Sequence, residues 1–403
     1  MTPEIKHRIE QIRRGEVPER YQKTKHGVLP NNWTVLRVGE CLQRVGMPVK
    51  IQPNQLYTQI GIRSHGKGLF YKEPVTGAAL GNKSVFWIEP NCFIVNIVFA
   101  WEQAIGKTTQ AEVGMIASHR FPMYRPIDNK VDINYLIAFF LTKRGTDVLE
   151  GASPGGAGRN KTLGQDRFSK SMVVLPPIEE QQKIAAILTT QDKVIELKEK
   201  LLAEKQRQKK HLMQQLLTGK QRLPGYKETW ATVELEEIFD YIQPTSYLVK
   251  STNYSDTYST PVLTAGKTFI LGYTNETKGI FSNVPVVIFD DFTTATKFVD
   301  VPFKVKSSAI KILIAKKEFN IRFVYEAMQL IHFTVGNHER HWISQYSHVT
   351  IDVPCLEEQT AIAEILCTAD HEIDLLQQEL EQEKQKKKAL MQLLLTGIVR
   401  VNE

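Results

Sequence analysis

The stretch LPPIEEQQKIAAILTTQD, beginning at Leu175, returns as VPCLEEQTAIAEILCTAD at Val353, an offset of 178 residues. The offset holds without insertion to LLTG, at Leu216–Gly219 and again at Leu394–Gly397. Solenoid units are roughly 20–50 residues long, so this period is too long for one. It divides the 403-residue chain into two halves, each joining a variable stretch to a shared one. The reading is four segments: a globular domain at 1–174 with a helical lead-in, a spacer helix at 175–220, a second globular domain at 221–352, and a second spacer helix at 353–403.

Neither Pro nor Gly interrupts Glu179 to about Leu217, or Glu357 to about Leu395. Each shared stretch is therefore expected to be one long helix. Prolines precede both, and Glu179-Glu180 and Glu357-Glu358 place negative charge in the first turn, where the helix dipole favours it. Gly219 and Gly397 stand where a left-handed C-cap is wanted. The first helix carries a heptad line at Leu188, Ile195, Leu202, Lys209 and Leu216; the second repeats it at Leu366, Ile373, Leu380, Lys387 and Leu394. A second line, Ile362, Ala369, Leu376, Glu383 and Leu390, is mostly apolar, whereas its first-helix counterpart is polar at Gln191, Lys198 and Lys205. Ile187, Val194 and Leu201 run beside the first seam and offer an alternative one. Five heptads suffice for a coiled coil, and equal length and register make each helix the natural partner of the other. Spacing leaves parallel and antiparallel pairing open, and two separately docked helices remain the plainer alternative. The runs Lys209-Lys210 and Lys384–Lys388 read as a solvated coil face rather than a phosphate site.

The variable stretches, 27–174 and 221–352, have short apolar runs such as CFIVNIVFAW and VPVVIFDDF separated by turn signals, which reads as mixed α+β with substantial sheet. NYLIAFFLTKRGTDVLEG and FVYEAMQLIHFTV are helical in pattern. Both stretches open alike: aligning Trp33 with Trp230 also aligns Leu36 with Val233, Val38 with Leu235 and Glu40 with Glu237. They close alike, with polar loops PGGAGRNKTL (from Pro154) and VGNHERHWI (from Val335), but differ between. A shared frame with different content is the expectation for two modules that recognise different things.

No run of eighteen apolar residues occurs, and the first residues are polar and charged rather than a signal peptide, so a cytoplasmic protein is expected. Four cysteines form no CxxC pair and no evident disulfide framework. With 51 Lys and Arg against 44 Asp and Glu, the formal charge is +7 and the pI about 9.0, favouring a polyanionic partner.

Catalytic motifs are not found. Gly106-Lys107-Thr108 lacks the earlier glycine of a phosphate loop, since Trp101 stands there. His338-Glu339-Arg340-His341 is not HExxH, and no metal-ligand spacing is convincing. Asp290-Asp291 reads as a strand-end turn. GxSxG, GxGxxG after a strand and [DN]PP[YF] are absent from the sequence. What remains is binding chemistry in glycine- and threonine-rich loops. Arg, Lys, Asn and Gln suit base edges; Ser, Thr and exposed backbone amides suit phosphates. The DNA-contact candidates in the first domain are Arg63, Ser64, His65, Lys67, Lys107, Thr108, Arg159, Asn160 and Lys161. In the second they are Lys267, Thr268, Asn275, Lys278, Thr293, Thr294, Lys297, His338, Arg340 and His341.

The doubled PxxEEQxxIAxIL helices, the LP…W openings and segments such as VLTAGKTFILGYTNET and DDFTTATKFVDVPFKVKSSAIKIL resemble the specificity (S) subunit of type I restriction–modification systems. The likeness covers nearly the whole chain. It implies an α+β fold with two target recognition domains separated by two helices that pair as an antiparallel coiled coil. It also implies a non-catalytic subunit that reads a bipartite asymmetric site in double-stranded DNA and binds no cofactor itself. Two methyltransferase (M) subunits using S-adenosylmethionine, and restriction (R) subunits using ATP and Mg, are the implied partners, with no membrane. The alternative, from another class, is a coiled-coil adaptor without DNA binding.

Overall fold

The computed structural model describes residues 2–81, 83–155, 161–264, 268–334 and 340–401. The chain forms two units, Met1–Leu197 with Leu380–Glu403, and Lys198–Glu379.

In the first unit, helix α1 (Pro3–Arg13) leads into a hairpin, Tyr21–Thr24 with Gly27–Pro30. Next come β1 (Thr34–Arg37), β2 (Leu42–Val45), β3 (Phe93–Val95), β4 (Ile105–Lys107), β5 (Met123–Pro126), α2 (Ile133–Phe140) and β6 (Met172–Leu175). A four-stranded antiparallel sheet has the order β4-β3-β5-β2, and β6 pairs separately with β1, Leu175 opposite Thr34. Phe93, Tyr124, Phe140 and Phe168 meet at the centre of its core, ring centroids 5.5–6.3 Å apart. Asp132 starts α2 by accepting the Tyr135 amide at 2.9 Å. The helical pattern after Asn134 breaks at Thr142, whose hydroxyl caps a second helix, Lys143–Gly151. Cys41 and Cys92 are buried, and burial pushes the Cys41 thiol up to about 11, away from thiolate chemistry.

The helix α3 (Ile178–Leu216) runs from the first unit into the second, which continues with β7 (Ala231–Glu234), β8 (Phe239–Ile242), β9 (Val286–Asp290), β10 (Thr296–Val299), β11 (Ile310–Ala315), α4 (Ile321–Met328), β12 (Thr350–Val353) and α5 (Leu356–Leu394). Its main sheet has the order β10-β9-β11-β8, strand for strand that of the first unit, and β12 pairs with β7 as β6 does with β1. The shared openings share geometry too. The Glu40 carboxylate accepts the Arg37 amide at 2.6 Å, and the Glu237 carboxylate accepts the Glu234 amide at 3.1 Å. The stretch FVYEAMQLIHFTV is helical only to Met328, after which successive amides close turns at Leu330 and Ile331.

The repeated EEQ is explained by what each unit builds on it. Glu180 is fully buried and accepts from Trp33 Nε1 at 3.2 Å and from Arg400 through two nitrogens at 2.7 Å. Glu358, equally buried, accepts from Trp230 Nε1 at 3.3 Å and from Arg222 at 2.9 and 2.7 Å. Arg222 and Arg400 are themselves 178 residues apart. The next residue is equally constrained. Gln181 donates to the Pro176 and Lys130 carbonyls and accepts the Asp132 amide; Gln359 donates to the Pro354 carbonyl and accepts the Asn320 amide. Each repeat thus fixes its helix both to the opening strand and to the amide that starts the domain's own helix, α2 or α4.

Within each unit the two long helices run antiparallel. In the first, Gln191 donates to Glu383 at 2.6 Å, and Asp192 pairs with Lys387. In the second, Lys198 meets Glu379 at 2.6 Å, Lys205 meets Glu372 at 2.7 Å and Lys209 meets Asp370 at 2.6 Å. Partner numbers fall on α5 as they rise on α3. The expected seam residues face inward: Leu188, Leu216, Leu366, Ile373, Leu380 and Leu394 are buried, Ile195 and Leu202 half-buried. The alternative seam is largely unused: Ile187 and Leu201 are 39% and 46% exposed, and of its three residues Val194 alone is half-buried. The polar line of α3 faces α5 instead because α5 supplies carboxylates opposite it. Half-exposed ion pairs of this kind contribute only about 0–1 kcal/mol each, so their main effect is to select the register. Gly219 and Gly397 take φ of +66° and +73°, the expected C-caps.

Candidate nucleic-acid interface

In each unit, one turn of the main sheet is tied to one polar loop. The first unit has the turn after β3, residues 96–104, and the loop that precedes the helix Gln165–Lys170. The Leu163 amide donates to the Ile97 carbonyl at 2.8 Å. The second unit has the turn after β9, residues 291–295, and the loop ending near Trp342. There the His341 amide donates to the Asp291 carbonyl, and the Trp342 amide to the Asp291 carboxylate, each at 2.9 Å.

Several first-domain candidates gather on this frame. Arg63, Ser64, His65 and Lys67 lie on the turn between strands Ile60–Ile62 and Leu69–Tyr71. His65 and Gly66 hold left-handed φ of +59° and +64°, and their amides donate to the Glu102 and Gln103 carbonyls at 2.8 and 2.9 Å. Gly66 takes its left-handed φ without strain, and a Cβ there would meet the Leu141 methyl at 2.6 Å and push that side chain aside. Ser64 donates to Glu102 at 3.0 Å; Arg63 is exposed, its guanidinium 5.1 Å from the Phe70 ring and bonded to the Leu69 carbonyl. The Lys161 ammonium sits 5.2 Å from the Trp101 ring on the same turn. The sequence reading passed over Trp101 as a contact residue, because it stands in the largely apolar turn Asn96–Ala104 and reads there as core. Lys107 belongs elsewhere: it lines a surface cavity with Asn91, Arg125 and Asn129, beside Gln182 of α3. Arg159 and Asn160 lie outside the described residues.

Thr108 is a correction. It is fully buried, donating to the Glu89 carbonyl at 2.6 Å and accepting the Cys92 amide at 2.9 Å, so its hydroxyl serves the turn and not a ligand.

In the second unit, Thr293, Thr294 and Lys297 lie on or beside the β9–β10 turn. Asp290 organises it by accepting from the Phe292 amide at 3.0 Å and the Thr293 hydroxyl at 2.5 Å, while Thr294 has φ +58°. Asp290-Asp291 is therefore a strand-end turn, as expected. Behind it Asp291 faces the buried Lys311 at 3.6 Å. Arg340 is exposed at the edge of this cluster. His341 is the second correction. It is only 2% exposed, its ring packs 5.8 Å from Phe333, and it supports the loop from inside. Thr268, Asn275 and Lys278 are exposed and form another group on the turns flanking strand Ile270–Thr274. Lys304 braces that group, donating to the Lys278 carbonyl at 2.6 Å and pairing with Glu276 at 3.1 Å. Lys267 and His338 lie outside the described residues. The arrangement offers exposed cations, hydroxyls and turn amides on a rigid backing, which suits phosphate and base-edge contact.

Comparisons with known proteins point to one family. The family model for the type I restriction modification DNA specificity domain matches twice, at residues 74–205 and 227–385. Among curated relatives, the EcoR124I/EcoR124II specificity subunit of Escherichia coli is 52% identical over 139 residues, 33% of this chain and 34% of that protein, so the chain matches about a third of its length. The putative MjaX specificity subunit of Methanocaldococcus jannaschii is 26% identical over 95% of this chain and 97% of its own. Two crystal structures share the fold. The type I S subunit from M. genitalium has a TM-score of 0.63 at 14% identity, covering 90% of this chain and 96% of that one. The HsdS subunit from Thermoanaerobacter tengcongensis has a TM-score of 0.50 at 18% identity, covering 92% and 98%.

Proposed function

Because the chain belongs to the type I restriction–modification DNA specificity family, we propose that its two domains each read one half of a split, asymmetric DNA site. Residues 1–174 take one half-site and residues 221–352 the other. One observation carries this reading. The strand order, the Trp–Glu–Arg clamp and the tie between turn and loop are built twice, yet the residues displayed on them differ. The exposed loop residues divide the work: Arg and Asn can bond base edges bidentately, whereas Lys, Thr and turn amides hold the backbone. The adaptor alternative draws no support from the family match.

The subunit supplies recognition rather than chemistry. Methyl transfer from S-adenosylmethionine belongs to M subunits, and ATP- and Mg-dependent cleavage to R subunits. Two M subunits fit a feature of the helices. Ile187 and Leu197 of α3 are 39% and 55% exposed, and their repeat equivalents Ile365 and Leu375 of α5 are 37% and 46% exposed. Because the same exposed apolar positions recur at the 178-residue offset, we take them as the candidate docking positions, one set per unit.

The test is domain exchange. Replacing residues 221–352 with a homologous domain, then mapping methylated motifs in cells that carry the partner methyltransferase, should change one half-site and preserve the other. Altered specificity in both halves, or in neither, contradicts the modular reading.

A further inference from the structure

We infer that the second unit holds a divalent transition-metal site made by Glu234, Glu236 and His348. Glu234 ends β7, Glu236 lies in the short helix Leu235–Ile238, and His348 ends the turn Tyr346–His348. The ligand atoms lie within 4.8 Å of one another. His348 Nδ1 stands 3.3 Å from an oxygen of Glu234 and 3.3 Å from an oxygen of Glu236. Donors bound to Zn²⁺ at about 2.05 Å in tetrahedral geometry are roughly 3.3 Å apart, so the two measured edges already fit one coordination polyhedron. A neutral imidazole has at most one proton on Nδ1 and cannot bond both carboxylates fully; a cation between them can.

The surroundings favour a cation. Among the described residues, no Lys or Arg pairs with either carboxylate; Lys316 nearby is held by the carbonyls, not the carboxylates, of Glu236 and Glu237. The Ser347 hydroxyl, 3.5 Å from Glu236, gives that ligand a weak outer contact. All three ligands are at least 40% exposed, leaving room for water to complete the shell and for exchange with solvent. Imidazole with two carboxylates suits Zn²⁺ and its neighbours better than Ca²⁺ or Mg²⁺. Among the described residues the cluster occurs in the second unit alone. By ladder position, with Met172 opposite Arg37 and Thr350 opposite Glu234, the first unit has Arg37, Gly39 and Lys170 at the corresponding places.

The metal would fasten the far end of the segment whose near end Asp291 already holds. That segment, 340–348, carries Arg340, so any consequence for DNA rests on the function proposed above. Metal binding itself does not. His348 lies 112 residues beyond Glu236 and 114 beyond Glu234, which is why no spacing motif reveals the set.

The experiment is calorimetric titration of the full chain with ZnCl₂, paired with nitrogen NMR of the histidine rings. The chain has ten histidines, so uptake alone does not locate the site. The expected result is one strong site per chain, lost in His348→Ala, weakened in Glu234→Gln and in Glu236→Gln, with the His348 Nδ1 resonance moving on zinc addition to the unaltered protein. Equal uptake by His348→Ala, an unmoved Nδ1 resonance, or no uptake by the unaltered chain overturns the proposal. The NMR arm needs no variant to fold. DNA binding that is unaffected by zinc would sever only the link to recognition.

Discussion

Glu180 and Glu358 show how a residue can be placed correctly by sequence and still be misjudged in role. Both stand in the first helical turn, where the dipole favours them, but each is also a buried anion that needs a guanidinium. Removing one member of a buried pair leaves the other uncompensated at about 3–5 kcal/mol. Arg400→Ala should therefore destabilise the first unit by about that amount in urea unfolding; a loss near zero would mean that Glu180 is not held by Arg400. No pattern in the sequence links Glu180 to a residue 220 positions away, and only the fold closes that distance. Burial likewise separates Thr108 and His341 from the loop residues beside them. Thr108→Ala should cost about 1–3 kcal/mol of stability, because it strands a buried amide and carbonyl. It should leave the salt dependence of DNA binding unchanged. Arg340→Ala should do the reverse, sparing stability while weakening DNA binding by about 1–3 kcal/mol if it reads a base, or lowering the salt slope by about one unit if it holds a phosphate. DNA affinity measured across a salt series separates the two.

At the scale of the element, the helices were the most legible part of the chain. Their boundaries were expected at Glu179 to about Leu217 and Glu357 to about Leu395, and they run Ile178–Leu216 and Leu356–Leu394. A long stretch without Gly or Pro, bounded by both, leaves little freedom. Their direction was not legible, since heptad spacing is the same whichever way a partner runs. Charge decides it here, because Lys198, Lys205 and Lys209 find Glu379, Glu372 and Asp370 only in the antiparallel register. That register also determines where the pair can be lengthened. Lys198 of α3 pairs with Glu379 of α5, so four residues inserted beside each add one turn, about 6 Å, without sliding one helix along the other. If the paired helices set the distance between half-sites, this variant should read the same two half-sites with a spacer about one or two base pairs longer. Motif mapping of methylated DNA measures it, and an unchanged spacer in a folded variant would assign the distance to something else.

For the whole molecule, the repeat makes a prediction about assembly. Two aspartates at Ile187 and Leu197 should cost the complex one methyltransferase subunit, the same change at Ile365 and Leu375 the other, and all four changes both. Native mass spectrometry counts them; a complex that keeps its full mass with all four aspartates would place docking on another surface. These positions are exposed, so the variants should fold. The duplicated architecture was readable in the sequence because the offset is insertion-free, whereas the loops were readable only as composition, since their geometry depends on ties such as Asp291 to Trp342 that cross from one turn to another. The clamp on Glu180 has a further consequence, in time. The second unit is one continuous stretch, Lys198–Glu379, but the first draws on residues at both extremes, through Leu380–Glu403. On a ribosome adding roughly 5–20 residues per second, Glu180 waits on the order of 10–40 seconds for Arg400. During that interval the first-made domain lacks the counter-charge of Glu180 and the part of its core that Leu380–Glu403 supplies, while the later-made domain can already close. A nonsense mutation late in the gene would therefore damage the domain encoded at its beginning.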